Sequence, residues 1–172
     1  MYNTEETLRS IVMNRSVSSK LLVRIEGKLY YFNSIMDFNE DDYLHCIEKI
    51  ESHFGIANKS LGSLQGEDLK SSIIIIDCEC NTDVKFMTLL HELGHMLLHI
   101  ENDRHENCTY DQIELEAELF ACYMTAQMGY DVEAISRVLM GKWANGDVDI
   151  NVAISYVLGI IEEAKNILDI GG

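Results

Sequence analysis

Apolar residues recur at helical spacing at the start of the chain and then alternate. Leu8, Ile11 and Val12 fall on one side of a helix predicted over residues 4–14. Leu21, Val23 and Ile25 alternate with polar neighbours, Glu26-Gly27 supplies a turn, and Leu29 to Phe32 returns, so Lys20–Phe32 is predicted as a hairpin. Asn39 or Asp41 caps a helix running to about His53, with Tyr43, Leu44, Ile47 and Ile50 inward and His45 and His53 on the surface. Glycines and serines break the pattern between Ala57 and Ser71, which is predicted as a loop. The β-branched run Ile73 to Ile76 then predicts a strand ending at Asp77 and covered on both faces or shielded at one edge. Asn81 or Thr82 caps the next helix, which carries a leucine-rich stretch, Leu89 to Leu98.

The second half is helical in pattern. Beyond the polar segment Glu101–Cys108, Thr109-x-x-Gln112 has the form of a capping box opening a helix to about Met128, closed by Gly129. Ile113, Ala117, Phe120 and Met124 form its apolar face, and Glu114, Glu118, Cys122 and Thr125 a separate stripe. Val132, Ile135, Val138, Leu139 and Trp143 mark a further helix. The last runs from about Ile150 to Ile170 and buries Ile154, Val157, Leu158, Ile161, Ala164 and Leu168. The fold class expected is α+β: a small mixed sheet, a long helix after the isoleucine strand, and a largely helical C-terminal half. With 172 residues and no proline-rich linker, one domain is expected.

Composition narrows the functions open to such a fold. Thirteen basic residues against 29 acidic ones give a net charge of −16, which argues against holding nucleic acid by its phosphates. The charge fits solubility, a basic protein substrate, or mimicry of DNA's charge. The N-terminus lacks a basic segment followed by an apolar one, and Val152–Ile161 is too short to span a bilayer, so neither export nor a membrane partner is expected. Five cysteines, an odd count, fit reduced thiols in a cytoplasm. Cys78-Glu79-Cys80 has no second pair at the spacing of a zinc finger.

The chemistry is concentrated in His91-Glu92-Leu93-Gly94-His95. Four residues apart on a helix, His91 and His95 project their imidazoles from one face and can share a Zn²⁺ ion, with Glu92 beside it as general base. Leucines fill the other faces, so these polar groups require a partner such as a metal. A hydrolytic zinc site takes a third protein ligand, for which His99, Glu101, His105, Glu114, Glu116 and Glu118 are candidates. His99 continues the stripe but drifts about 40° around an α-helix at each step of four, which places it beside the site rather than on the ion. Glu114 fits better, because a second helix can deliver its carboxylate from outside the first helix axis. Glu118, one turn on, can then accept a hydrogen bond from the other nitrogen of His91 or His95.

His91-Glu-Leu-Gly-His-x-x-x-His99 followed by Glu114-Leu-Glu-Ala-Glu-Leu-Phe-Ala121 resembles the ImmA/IrrE group of zinc metallopeptidases, whose pattern is HELGH and then E-x-E-A-N-x-F-A. The segment from Glu114 through the last helix also resembles the zincin domain of ArdC-type antirestriction proteins. The similarity covers roughly residues 72–170, taken as a metallopeptidase core; residues 1–70 match nothing recognisable and have no assigned role. The resemblance implies a zincin-like fold, Glu114 as third zinc ligand and Glu118, where the first family has asparagine, contacting a ligand from outside. It also implies a cytoplasmic regulatory protease of a bacterium, phage or mobile element that cleaves a repressor or another regulator. Two rivals follow: a catalytically idle zincin fold that binds a basic partner, and a structural zinc site completed by His99 or His105. Tyr110, His105 and Tyr123 are the candidates for stabilising the oxyanion.

Overall fold

The computed structural model describes residues 4–13, 22–25, 28–31, 38–54, 82–102, 104–130 and 147–170. Helix α1 (Thr4–Met13) buries Leu8 and Ile11, as the spacing requires. Strands β1 (Leu22–Ile25) and β2 (Lys28–Tyr31) pair antiparallel with Ile25 opposite Lys28, as the expected hairpin requires; Glu26-Gly27, expected as its turn, lies outside the described residues. Helix α2 (Glu40–Phe54) is capped by the Asn39 side chain, which accepts from the Asp41 amide at 3.0 Å. It buries Cys46 and Ile50 and half-buries Tyr43 and Ile47. Leu44, expected inside, is 54% exposed, because the inward stripe runs through Cys46 instead.

Helix α3 (Thr82–His95) continues without a break into one wide π turn, Met96–Ile100. A 3₁₀ turn, Arg104–Asn107, leads to α4 (Tyr110–Gln127), and α5 (Ile150–Leu168) closes the described chain. Thr109 caps α4, its Oγ1 accepting from the Gln112 amide at 3.2 Å. The reciprocal half of the capping box does not form. The Gln112 side chain instead accepts from the Asp149 amide at 2.7 Å, tying the start of α4 to the start of α5. Asp149 in turn caps α5 through the amides of Asn151 and Val152.

α4 is the central helix. From Leu119 to Thr125 every residue is buried, and α3, α1 and α5 pack around it. The closest approach is at Gly94 of α3: a Cβ there would lie 2.9 Å from Phe120 Cδ1 and 3.2 Å from Ala117 Cα. Only a residue without a side chain lets the two helices come this near. The eight buried residues of α5 include Ile154, Val157, Ile161, Ala164 and Leu168, while Leu158 is only partly covered.

The expectation of an α+β fold with a small mixed sheet is overturned. The described residues are predominantly helical, and their strands form one two-stranded antiparallel hairpin. Among the described residues, the apolar faces of α3, α4 and α5 are covered by one another and by α1 and α2. Ile73–Ile76, on which the sheet expectation rested, and the helix expected around Val132–Trp143 lie outside the described residues.

Candidate metal centre

The approach of α3 and α4 over Gly94 brings four sequence-predicted side chains together. His91 and His95 turn their Nε2 atoms towards each other at 2.8 Å. From α4, the carboxylate of Glu114 lies 3.5 Å from His91 Nε2 and 3.7 Å from His95 Nε2. One ligand atom from each of His91, His95 and Glu114 falls within 4.8 Å of the others, a set able to hold a metal ion. One turn along α4, Glu118 Oε1 sits 3.4 Å from His91 Nδ1. At that distance the pair is a charge contact rather than a hydrogen bond, and Nδ1 is buried without a hydrogen-bond partner.

The donor set fits a tetrahedral cation. Ligand bonds of about 2.0–2.2 Å at a tetrahedral angle hold donor atoms about 3.3–3.6 Å apart. The carboxylate contacts are near that spacing, and the two imidazoles need to part by only about half an ångström. Two nitrogens and one carboxylate oxygen suit zinc among the common divalent ions.

The electrostatics divide the two imidazoles. Burial pulls the His91 pKa down but is outweighed by the carboxylates of Glu118 and Glu114, so it is raised. Burial and the neighbouring His91 charge hold His95 below its ordinary value. Burial pushes Glu92 up, reinforced by Glu114 and Glu118 and opposed by His91. Its carboxylate therefore lies within the field of the cluster and takes up protons more readily than an exposed glutamate. For Glu114, burial is outweighed by His91, His95 and a hydrogen bond from the Tyr110 hydroxyl, which hold it low.

The other candidates for third ligand are placed elsewhere. Glu101 is exposed. The side chain of His105 and the whole of Cys78-Glu79-Cys80 lie outside the described residues. Of the tyrosines, Tyr123 is buried and its hydroxyl reaches Thr4, whereas Tyr110 is 67% exposed beside Glu114. His99 is buried, with Nδ1 3.1 Å from His95 Nδ1 and Nε2 3.1 Å from Glu116 Oε2. Drift along an α-helix would carry it past that position. The π turn, closed by the Glu101 amide on the Met96 carbonyl at 3.0 Å, adds a residue to the turn and keeps His99 in line with His95.

Glu116, another of the candidates for third ligand, is fully buried and lies outside the set of His91, His95 and Glu114. It accepts from His99, from Arg104 through Nε at 3.1 Å and through Nη2, and from Gln112 Nε2 at 2.7 Å. A signal was available. On a helix, Glu116 shares a face with Leu119, Phe120 and Tyr123, all apolar or aromatic.

A histidine pair on one helix and a glutamate on the next, with a second glutamate beside the first histidine, is the donor arrangement of a metallopeptidase centre. Residues 52–128 match the family model of the IrrE N-terminal-like domain, a peptidase family, and this stretch contains His91, Glu92, His95, Glu114 and Glu118. The match supports the resemblance to the ImmA/IrrE group. No curated protein and no solved structure matches the chain, and the antirestriction resemblance has no counterpart in these comparisons. Among the described residues, no helix is long and apolar enough to cross a membrane.

Proposed function

We propose that the chain is a zinc-dependent endopeptidase of the glutamate-zincin type, acting on a protein substrate such as a regulator. The observation that carries this reading is the convergence of His91, His95 and Glu114 from two helices, with Glu92 in the same electrostatic field. His91, His95 and Glu114 would hold the ion, which when bound supplies Lewis acidity towards the scissile carbonyl and the attacking water. Glu92 accepts the proton of that water and returns it to the departing amine, a role that its raised pKa suits. Glu118 holds the His91 ring from its Nδ1 side. Tyr110, whose hydroxyl donates to Glu114, is the candidate for donating instead to the developing oxyanion once Glu114 holds the ion.

The test is Glu92→Gln, assayed with a fluorogenic peptide library and by zinc titration. The substitution keeps the size of the side chain and removes the base. The expected result is intact zinc binding and a loss of cleavage of about 10²–10⁴-fold. Undiminished cleavage would sink the mechanism. The net charge of −16 supports a second reading, a zincin fold that acts by binding a basic partner without turnover. That reading gains if biological effect survives Glu92→Gln and weakens steeply with salt.

A further inference from the structure

Two glutamates of α4 stand on opposite flanks of its contact with the histidine helix. At about 100° per residue, Glu114 lies about 60° to one side of Ala117 and Glu116 about 100° to the other. Ala117 packs against Gly94, so it marks the line on which α4 rests against α3. On one flank Glu114 faces His91 and His95. On the other, Glu116 has no exposed surface and is held from three places. Arg104 of the 3₁₀ turn donates to both its oxygens, Gln112 Nε2 donates to Oε1 at 2.7 Å, and His99 Nε2 lies 3.1 Å from Oε2.

This anchor is fixed in turn to α5. Gln112 Nε2 also donates to the Asp149 carbonyl at 3.2 Å, and Gln112 Oε1 accepts from the Asp149 amide at 2.7 Å. The Arg104 guanidinium stacks 3.2 Å from the centre of the Tyr156 ring. The close contact at Gly94 sets how far apart α3 and α4 lie, but it leaves α4 free to roll about that line. Apolar packing is non-directional and resists a small roll less than directed hydrogen bonds do. With side-chain ends about 5–6 Å from the axis, a roll of about 10° carries a carboxylate about 1 Å. A metal–ligand distance tolerates about 0.2 Å. The contacts of Glu114 with the histidines, at 3.5 and 3.7 Å, are too long to hold it firmly, so the restraint comes from the other flank.

We propose that Arg104, Gln112 and Glu116 are positioning residues: their directed contacts stop the roll of α4 and keep Glu114 turned towards His91 and His95 before an ion arrives. The inference rests on the metal-centre reading for its purpose, while the roll itself can be measured without any metal.

The experiment pairs nuclear Overhauser measurements on the metal-free full chain with zinc competition against a chromophoric chelator. In the native sequence, Overhauser contacts are expected between the Glu114 side-chain protons and the ring protons of His91 and His95. Arg104→Met keeps an apolar stem and removes the donors, so these contacts are expected to disappear and zinc affinity to fall about 10–100-fold. Arg104→Lys returns one donor to Glu116 and is expected to recover part of both. A role in stability alone would lower the melting temperature of Arg104→Met and leave the Glu114 contacts and the affinity as they are. That result overturns the proposal, as does a native chain without the Glu114 contacts. If Arg104→Met does not fold, Gln112→Met, which cuts the tie to Asp149, is read in its place with the same expectations. A native chain that shows the contacts, and a variant that loses them, with no zinc bound by either, overturns the metal-centre reading and leaves the positioning role standing.

Discussion

His91 and His95 stand one turn apart on the same helix, yet they hold protons in opposite ways. Glu118 and Glu114 outweigh burial at His91, while burial and the His91 charge depress His95. A raised pKa means that His91 keeps its proton through neutral pH, and a cation taking its Nε2 must displace that proton. His95 is already neutral and has none to give up. Zinc affinity is thus expected to rise with pH, by about tenfold per unit while His91 remains protonated. About one proton should be released per ion at pH 7, measurable by calorimetry in buffers of different ionisation enthalpy. Heat of binding that does not depend on the buffer would contradict this account. At Tyr110, removal of the hydroxyl by Tyr110→Phe is expected to lower kcat about 10²-fold, beyond any loss of zinc affinity from its hydrogen bond to Glu114. An unaltered kcat would assign the oxyanion to another group.

At the scale of helices, the centre depends on how close α3 and α4 come. Gly94→Ala places a methyl against Phe120 and the Ala117 backbone, and is expected to cost about 1–3 kcal/mol in a denaturant titration. Phe120→Leu should relieve only part of that loss, because the Ala117 contact is with backbone that a smaller side chain cannot move. Full recovery in the double variant would show that the backbone yields. These elements also mark the limits of reading from sequence. The hairpin, α1, α5 and the histidine helix were legible because period and turn chemistry agreed over their whole lengths. The π turn was not, since nothing in Met96–Ile100 departs from an α-helical pattern, and the assumed drift of His99 followed from that. Leu44 was misplaced because a cysteine, Cys46, took the inward position that a leucine was given. The burial of Glu116 was missed for a different reason. Its donors, His99 and Arg104, come from segments 17 and 12 residues away, and only tertiary packing shows that a carboxylate can be buried there.

For the molecule as a whole, the chain carries a charge of −16, and the candidate centre would itself become less negative on binding a cation. Such a surface draws basic chains towards the centre and disfavours acidic ones. Peptides flanked by lysine and arginine are expected to show higher kcat/KM than matched acidic peptides, with the advantage shrinking as ionic strength rises towards 1 M. Equal rates at low salt would remove charge as a determinant of choice. The placement of the three donors has a thermodynamic consequence as well. Because two come from α3 and one from α4, an ion held by all three binds the packed pair of helices and not either helix alone. Occupancy and folding are then linked, and the melting temperature becomes a gauge of free zinc. At a hundredfold excess over Kd the link is worth about 2.7 kcal/mol. In a chain of this length that corresponds to about 5–11 °C, the fall in Tm expected when a chelator is added to the zinc-loaded protein.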